Sequence, residues 1–291
     1  MNKTLSKIAF VALAFLCLSG PSLLAWGRKG HQIIVAIAQR HLTPEAAQNI
    51  AQFIPYDLKE DAKWMDDHRK GEWEFTNPWH VFFVDENHNY DPLPPRGDAI
   101  KAIRDACWRL SDRSDMSDSL VVLNIRMLIH FIGDMHCPVH VLVPGRTEKY
   151  CSSFYGKEFY PTVGVLVPVR FEGREEVSYH SFFDHVPNHA YDGTPDEIAA
   201  QFDQLRKKEV RTITRGEMVE VNGRKDFGPA LSRWAKECAD MATEIWKYNP
   251  EIVPDLNPAT QEMAKPLVEK YMLEAGYRLA RLLNAVFADG K

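Results

Sequence analysis

The chain has 291 residues, 45% of them hydrophobic, which is large for one domain but ordinary, and enough to bury a sizeable core. Its 40 acidic residues outnumber 35 basic ones, for a formal net charge of −5. A general electrostatic grip on nucleic acid is thereby excluded, and any polyanion must be held by a local positive site.

Residues 1–25 have the layout of a cleavable signal peptide: Lys3 and Lys7, an apolar run from Ile8 to Leu18, then small or polar residues before Ala25. The run is too short to span a bilayer. Leu16 before Cys17 argues against a lipoprotein, where a small residue is wanted. Cleavage after Ala25 leaves one domain, 26–291, that begins with Trp26 and contains no low-complexity linker. Four cysteines remain (Cys107, Cys137, Cys151 and Cys238), and an oxidising compartment permits disulfides whose connectivity is not readable from spacing.

Helical periodicity dominates the chain beyond Trp26. Ile33, Ile34, Ile37 and Ala38 recur at core-facing intervals, and Thr43-Pro44-Glu45 reads as an N-cap with proline at the first helical position. Asp98 caps a helix through Ile100, Ile103 and Cys107 to Leu110, and Ser117 opens a strongly apolar one that Pro138 ends. Pro229 starts a helix with Trp234, Cys238, Met241 and Ile245 on one stripe, and Pro266 starts another through Leu273, Leu279, Leu283 and Phe287. Extended ribbons are expected at 163–171, where valines alternate, and around Val221-Asn222-Gly223, a hairpin signal. Loops rich in Pro and Asn fall at 85–97 and 249–258. The expected fold is mainly α: a single-domain helical bundle with a small β-ribbon insertion.

The densest chemical signal is "HFIGDMHCPVH". His130 and Asp134, four apart, share one helix face and can grip one cation, or equally form a hydrogen-bonded surface pair. The spacing recurs at His180 and Asp184, and His140 follows the first pair. Asp66 in "KWMDDHR" and His80 in "NPWHVFF" sit beside large apolar residues, where a lone histidine is more often a satisfied core residue. Together these residues suffice for more than one metal.

With "WGRKGH" at residues 26–31, "WMDDHR", "WH", "HSFFD", "RWAKECADMA" and "AGYRLARLLN" in the same order, the chain resembles the S1/P1 nucleases, which are similar in fold to bacterial zinc-dependent phospholipase C. The resemblance implies three zinc ions. One would be held by Asp66, His80, His130 and Asp134, a second by His140, His180 and Asp184, and the third by the freed amino group and carbonyl of Trp26, His31 and the bridging Asp134. An α-amine with a pKa near ~8 can give up its proton to zinc, so signal cleavage would complete the site. Hydroxide bridging two zincs would attack phosphorus in line, with the remaining zinc at the leaving 3′-oxygen. Asp66, Asp134 and Arg69 are the residues expected to carry catalysis, Arg69 through a guanidinium fork on the phosphate.

The chain departs from the family at the base site. Val81 and Phe83 stand where the family has an aromatic residue and an aspartate, with Phe82, Phe83 or Asp85 as substitutes if the loop is shifted, and Val165 stands where an asparagine is usual. His136 is expected in a structural or outer role. Cys137 and Cys151 could close a short disulfide loop, or Cys137 could be a buried thiol. The basic run at 206–215 is read as a solvated helix face, with nucleic-acid contact the minority reading.

The resulting expectation is an exported, monomeric, zinc-dependent nuclease, periplasmic or secreted, without stable membrane anchoring. Its partner would be single-stranded DNA, RNA or a nucleotide, released as 5′-mononucleotides, with 3′-nucleotidase action as a further activity. A phospholipase C-like phosphodiesterase is the enzyme alternative, and a structural or scavenging zinc-binding protein the non-enzyme one.

Overall fold

A computed structural model describes residues 26–92, 97–144, 166–167, 177–178, 183, 186–188, 190–244 and 258–288. The signal segment, Cys151, Val165, His180, Asp184, Ile245 and most of the loop at 249–258 lie outside these residues.

The described residues are mainly helical. Helix α1 (Arg28–Arg40) buries every residue from Ile33 to Ala38, a width of apolar surface that only a central helix can cover. It packs against the C-terminal helix α9 (Pro258–Val286), against α6 (Pro195–Phe202) and against α5 (Asp118–Met135). Each fully buried Ile or Leu contributes about 1.5–3 kcal/mol relative to exposure. Helix α2 (Pro44–Ala51) starts as its sequence dictates, with the Thr43 hydroxyl accepting from the Ala46 amide at 3.2 Å and proline at N1. Helix α4 (Ala99–Leu110) is capped by Asp98, which accepts from Lys101 N–H at 3.0 Å, and lies along α5. Between α2 and α4 come a short 3-10 turn (Leu58–Asp61), α3 (Trp64–His68) and a ten-residue 3-10 segment (Gly71–His80).

The strands are short. Strand β1 (Phe82–Phe83) pairs in parallel with β2 (Val141–Leu142), with Phe82 opposite Val141. Strand β3 (Leu166–Val167), inside the ribbon expected at 163–171, pairs antiparallel with β4 (Val177–Ser178), which lies beyond it. Strands β5 (Val219–Val221) and β6 (Arg224–Asp226) form the expected hairpin, whose turn residues Asn222 and Gly223 both take positive φ, 51° and 75°. Helix α7 (Lys207–Ile213) has no buried residue, as a solvated basic face requires, and α8 (Gly228–Ala242) buries Trp234, Cys238 and Met241.

One expectation is corrected. The last helix begins at Pro258, not Pro266. Pro258 fills the first helical position, where its missing N–H costs nothing, and the stretch after Pro266 is fixed by burial of Val268, Tyr271, Met272 and Ala275, so the interior proline does not end the helix. Among the described residues no helix is long and apolar enough to cross a membrane.

Candidate metal centre

Helix α5 turns His130 and Asp134 to the same buried side, and both are fully buried. The His130 Nδ1–H donates to the Ala62 carbonyl at 3.0 Å, which fixes the tautomer and aims the Nε2 lone pair inward. That Nε2 lies 3.2 Å from Asp134 Oδ2 and 3.7 Å from Asp66 Oδ1.

Three further histidines surround the same carboxylate. The 3-10 segment delivers His80, whose Nδ1 is 2.8 Å from Asp134 Oδ2 and 3.7 Å from Asp66 Oδ1. From α1, His31 places Nε2 at 3.4 Å from Asp134 Oδ1 and stacks on His130 with ring centroids 4.3 Å apart. His140, from the short 3-10 turn Pro138–His140, brings Nδ1 within 3.8 Å of Asp134 Oδ1 and donates from it to the His80 carbonyl at 2.5 Å. The two-residue parallel pairing of β1 with β2 immediately follows His80 and His140, and so holds their segments side by side.

Gly133 makes room for this arrangement. A Cβ there would lie 2.5 Å from His31 Nδ1 and 2.8 Å from its Cε1, so any larger residue would displace the imidazole. The Gly133 and Ala62 roles escape sequence reasoning. A glycine inside a helix costs about 1 kcal/mol against alanine, and that cost was the only signal of a packing reason.

The donor atoms are poorly satisfied by the protein itself. Both nitrogens of His31, both oxygens of Asp66, His80 Nε2 and Asp134 Oδ1 are buried without a hydrogen-bond partner. Left so, each such group costs about 1–3 kcal/mol. Two overlapping sets, His31 with His130 and Asp134, and Asp66 with His80 and His130, each have one ligand atom per residue within 4.8 Å of one another. Two ligands on one tetrahedral zinc, at ~2.0–2.1 Å bonds, lie about 3.3 Å apart. The 3.2 and 3.4 Å separations around Asp134 suit that, and the nitrogen and oxygen donors suit zinc.

The electrostatics point the same way. Burial alone would raise the Asp134 carboxyl, but the His130, His80 and His140 imidazoles outweigh it and hold the group well below the usual carboxylate range. Burial likewise opposes charge on His130, yet Asp134 and Asp66 raise it to about 9. His31 is lowered, by burial first and by His130 second.

Arg69 stands at the C-terminal end of α3, its Nη1 3.8 Å from Asp66 Oδ1. Trp26 is buried at the start of α1, and its carbonyl accepts from the His31 N–H at 3.3 Å. Its indole packs against Tyr271, with ring centroids 6.3 Å apart. His31, Asp66, His80, His130, Asp134 and His140 therefore form one cluster, with Arg69 and Trp26 at its margins, while His180 and Asp184 lie outside the described residues. His136 points elsewhere: its Nδ1–H donates to the Ile132 carbonyl at 2.8 Å and its Nε2 accepts from Arg278 Nη1 at 2.8 Å. Asp85 shapes its own turn, accepting from the amides of Asn87 and Asn89 at 2.8 Å and the Asn89 side chain at 3.0 Å, and Val81 is buried.

A mainly helical protein that gathers four histidines and two aspartates from five segments into one dry cluster has the donor set of a metal-binding protein. The S1/P1 Nuclease family model matches residues 26–288. Endonuclease 4 of Arabidopsis thaliana is 25% identical, over 91% of this chain and 90% of that protein. Nuclease P1 of Penicillium citrinum is 24% identical over 90% and 97%, and nuclease S1 of Aspergillus oryzae is 24% identical over 90% and 91%. The chain belongs to the S1/P1 nuclease family, and is a hydrolase acting on phosphoric ester bonds.

Proposed function

We propose that residues 26–291 form an exported, zinc-dependent nuclease that hydrolyses single-stranded DNA and RNA to 5′-mononucleotides, with residues 1–25 as its removed signal peptide. The observation that carries the reading is the set of buried nitrogen and oxygen atoms around Asp134 without protein partners. Such a set is costly in a protein without a cation and favourable in one that binds it.

Asp66, His80, His130 and Asp134 would hold one zinc, His140, His180 and Asp184 a second, and His31, Asp134 and the main-chain amine and carbonyl of Trp26 a third. Zinc held there supplies hydroxide near neutral pH and positive charge toward a phosphodiester. The chain's own residues do the rest. Ala62 fixes the His130 tautomer, Gly133 leaves space for His31, and Asp134 bridges donor sets that come from four different segments. Arg69 offers two parallel N–H donors to the non-bridging phosphate oxygens, where charge grows as the ester bond breaks. A local cluster of this kind also explains how an acidic protein would draw in a polyanion.

The direct test is release of acid-soluble nucleotides from single-stranded DNA and RNA by protein beginning at Trp26, with zinc measured on the same sample. Close to three zincs and chelator-sensitive release is the expected result. Zinc with turnover of short-chain phosphatidylcholine and no nucleotide release would replace the nuclease reading with a phospholipase C-like one, and absence of zinc would end both. A variant with one extra residue before Trp26 should lose one zinc and most activity; full activity in that variant would remove Trp26 from the ligand set.

A further inference from the structure

The segment that carries His80 into the centre also carries a ladder of aromatic rings out of it. Phe75 is 56% exposed, the most exposed of the large apolar side chains described. Its ring meets Trp73 at 5.8 Å and the edge of Trp79 at 5.4 Å. Trp79 in turn meets Phe131 edge-on at 6.2 Å, and Phe131 meets the His80 imidazole at 5.2 Å. On the other side Trp73 contacts Trp64, which stacks on His68 at 4.0 Å and lies under the Arg126 guanidinium at 4.7 Å. Three ring-to-ring steps thus join an exposed phenylalanine to a histidine of the centre, and Arg69 stands at the head of the same segment.

We propose that Trp73 and Phe75 form a stacking platform for nucleobases of a single strand whose phosphate lies at the metal centre. The inference rests on the nuclease reading of that centre. Exposed aromatic faces are a cost in water and a gain against a base, since every base has a π-face and stacking tolerates sequence. The platform supplies a stacking face that Val81, buried directly after His80, does not. Charge selects the occupant. Glu72 and Glu74 are exposed and flank Trp73 in the chain, and Glu72 accepts from the Trp73 indole at 3.0 Å, which disfavours an anionic lipid surface or phosphates lying on the rings themselves. A strand that presents its bases to the rings and its backbone to Arg69 meets no such repulsion.

The experiment compares the zinc-loaded wild type with Phe75→Ala, Trp73→Ala and Phe75→Trp. Two readouts are used: kcat/KM on oligothymidylate relative to methyl 4-nitrophenyl phosphate, a diester without a base, and tryptophan-fluorescence titration with an uncleavable, uncharged methylphosphonate oligothymidylate. Each alanine variant should lower the oligonucleotide-to-diester ratio, and weaken binding, by roughly fivefold or more, the effect of losing one stacked base, and Phe75→Trp should restore both. Phe75 is too exposed for its truncation to unfold the protein. Unchanged ratios and unchanged binding would overturn the platform. If no nucleic acid is cleaved but oligonucleotide binding still falls in the variants, the nuclease reading fails while the platform stands. Loss of binding to phosphatidylcholine vesicles alone would assign the rings to lipid and overturn it.

Discussion

Two histidines six residues apart at one end of helix α5 live in opposite surroundings. His136 is satisfied on both nitrogens, by the Ile132 carbonyl and by Arg278, which itself donates to the Ile213 carbonyl at 3.1 Å and pairs with Glu237 and Glu274. His130 has one nitrogen anchored and the other facing two carboxylates and a second imidazole. Equal burial therefore separates into two designs: a closed polar strut that locks α5 to α8 and α9, and a cluster with valences left over. Completeness of hydrogen bonding, not burial or residue type, marks which is a candidate for chemistry.

The sharpest way to break this comparison is Asp134→Asn, which removes the carboxylate that touches His31, His80, His130 and His140 together. Zinc content and phosphodiesterase activity should fall in parallel, by more than the ~100-fold that an outer partner of a metal ligand is worth. Retained zinc with lost activity would separate binding from catalysis and weaken the bridging role. Arg278→Met does the reverse. It leaves His136 and Glu274 buried without their cation, while Glu237 keeps Arg233 at 2.8 Å, and should cost about 3–5 kcal/mol in urea unfolding, with zinc per folded molecule unchanged. Gly133→Ala lies between, since the added methyl overlaps His31. A cost of about 1–3 kcal/mol and loss of one zinc are expected, read by unfolding and metal analysis.

The sequence made the helices legible because their signals are local: the Thr43 and Asp98 caps, Pro44 at N1 and the Asn222-Gly223 turn each act within four residues. The spacing of His130 and Asp134 was legible for the same reason. What stayed hidden is set by contacts between distant segments. The two-residue pairing of Phe82-Phe83 with Val141-Leu142 is too short to leave a periodic signature, yet it sets His80 beside His140. Ala62 acts through its carbonyl, which no side-chain pattern encodes. Pro266 looked like a helix start because a proline's local preference is visible in sequence and the packing that carries a helix through it is not. The Phe75 ladder leaves no trace in sequence because aromatic residues in a row ordinarily mean core, and exposure appears only in three dimensions.

The smallest effect distinguishes the two histidines by sign. Burial and then the Arg278 charge hold His136 well below its ordinary 6.5, so the unfolded chain takes up a proton before the folded one does. Its contribution to stability is fully present above about pH 6.5 and declines as pH falls below that value, with a slope approaching 1.4 kcal/mol per unit. The difference between wild type and His136→Gln, which can still accept from Arg278, should show this slope between pH 6.5 and 5 in zinc-loaded protein. His130 in zinc-free protein runs the other way. Raised to about 9, it contributes below about pH 6.5 and loses that contribution as pH climbs through 9. Zinc should abolish the alkaline loss, because an imidazole bound to metal carries no proton there to give up. Urea midpoints across pH 6.5–9, with and without zinc, measure it, and an alkaline loss that persisted in the zinc-loaded protein would place its origin outside the cluster.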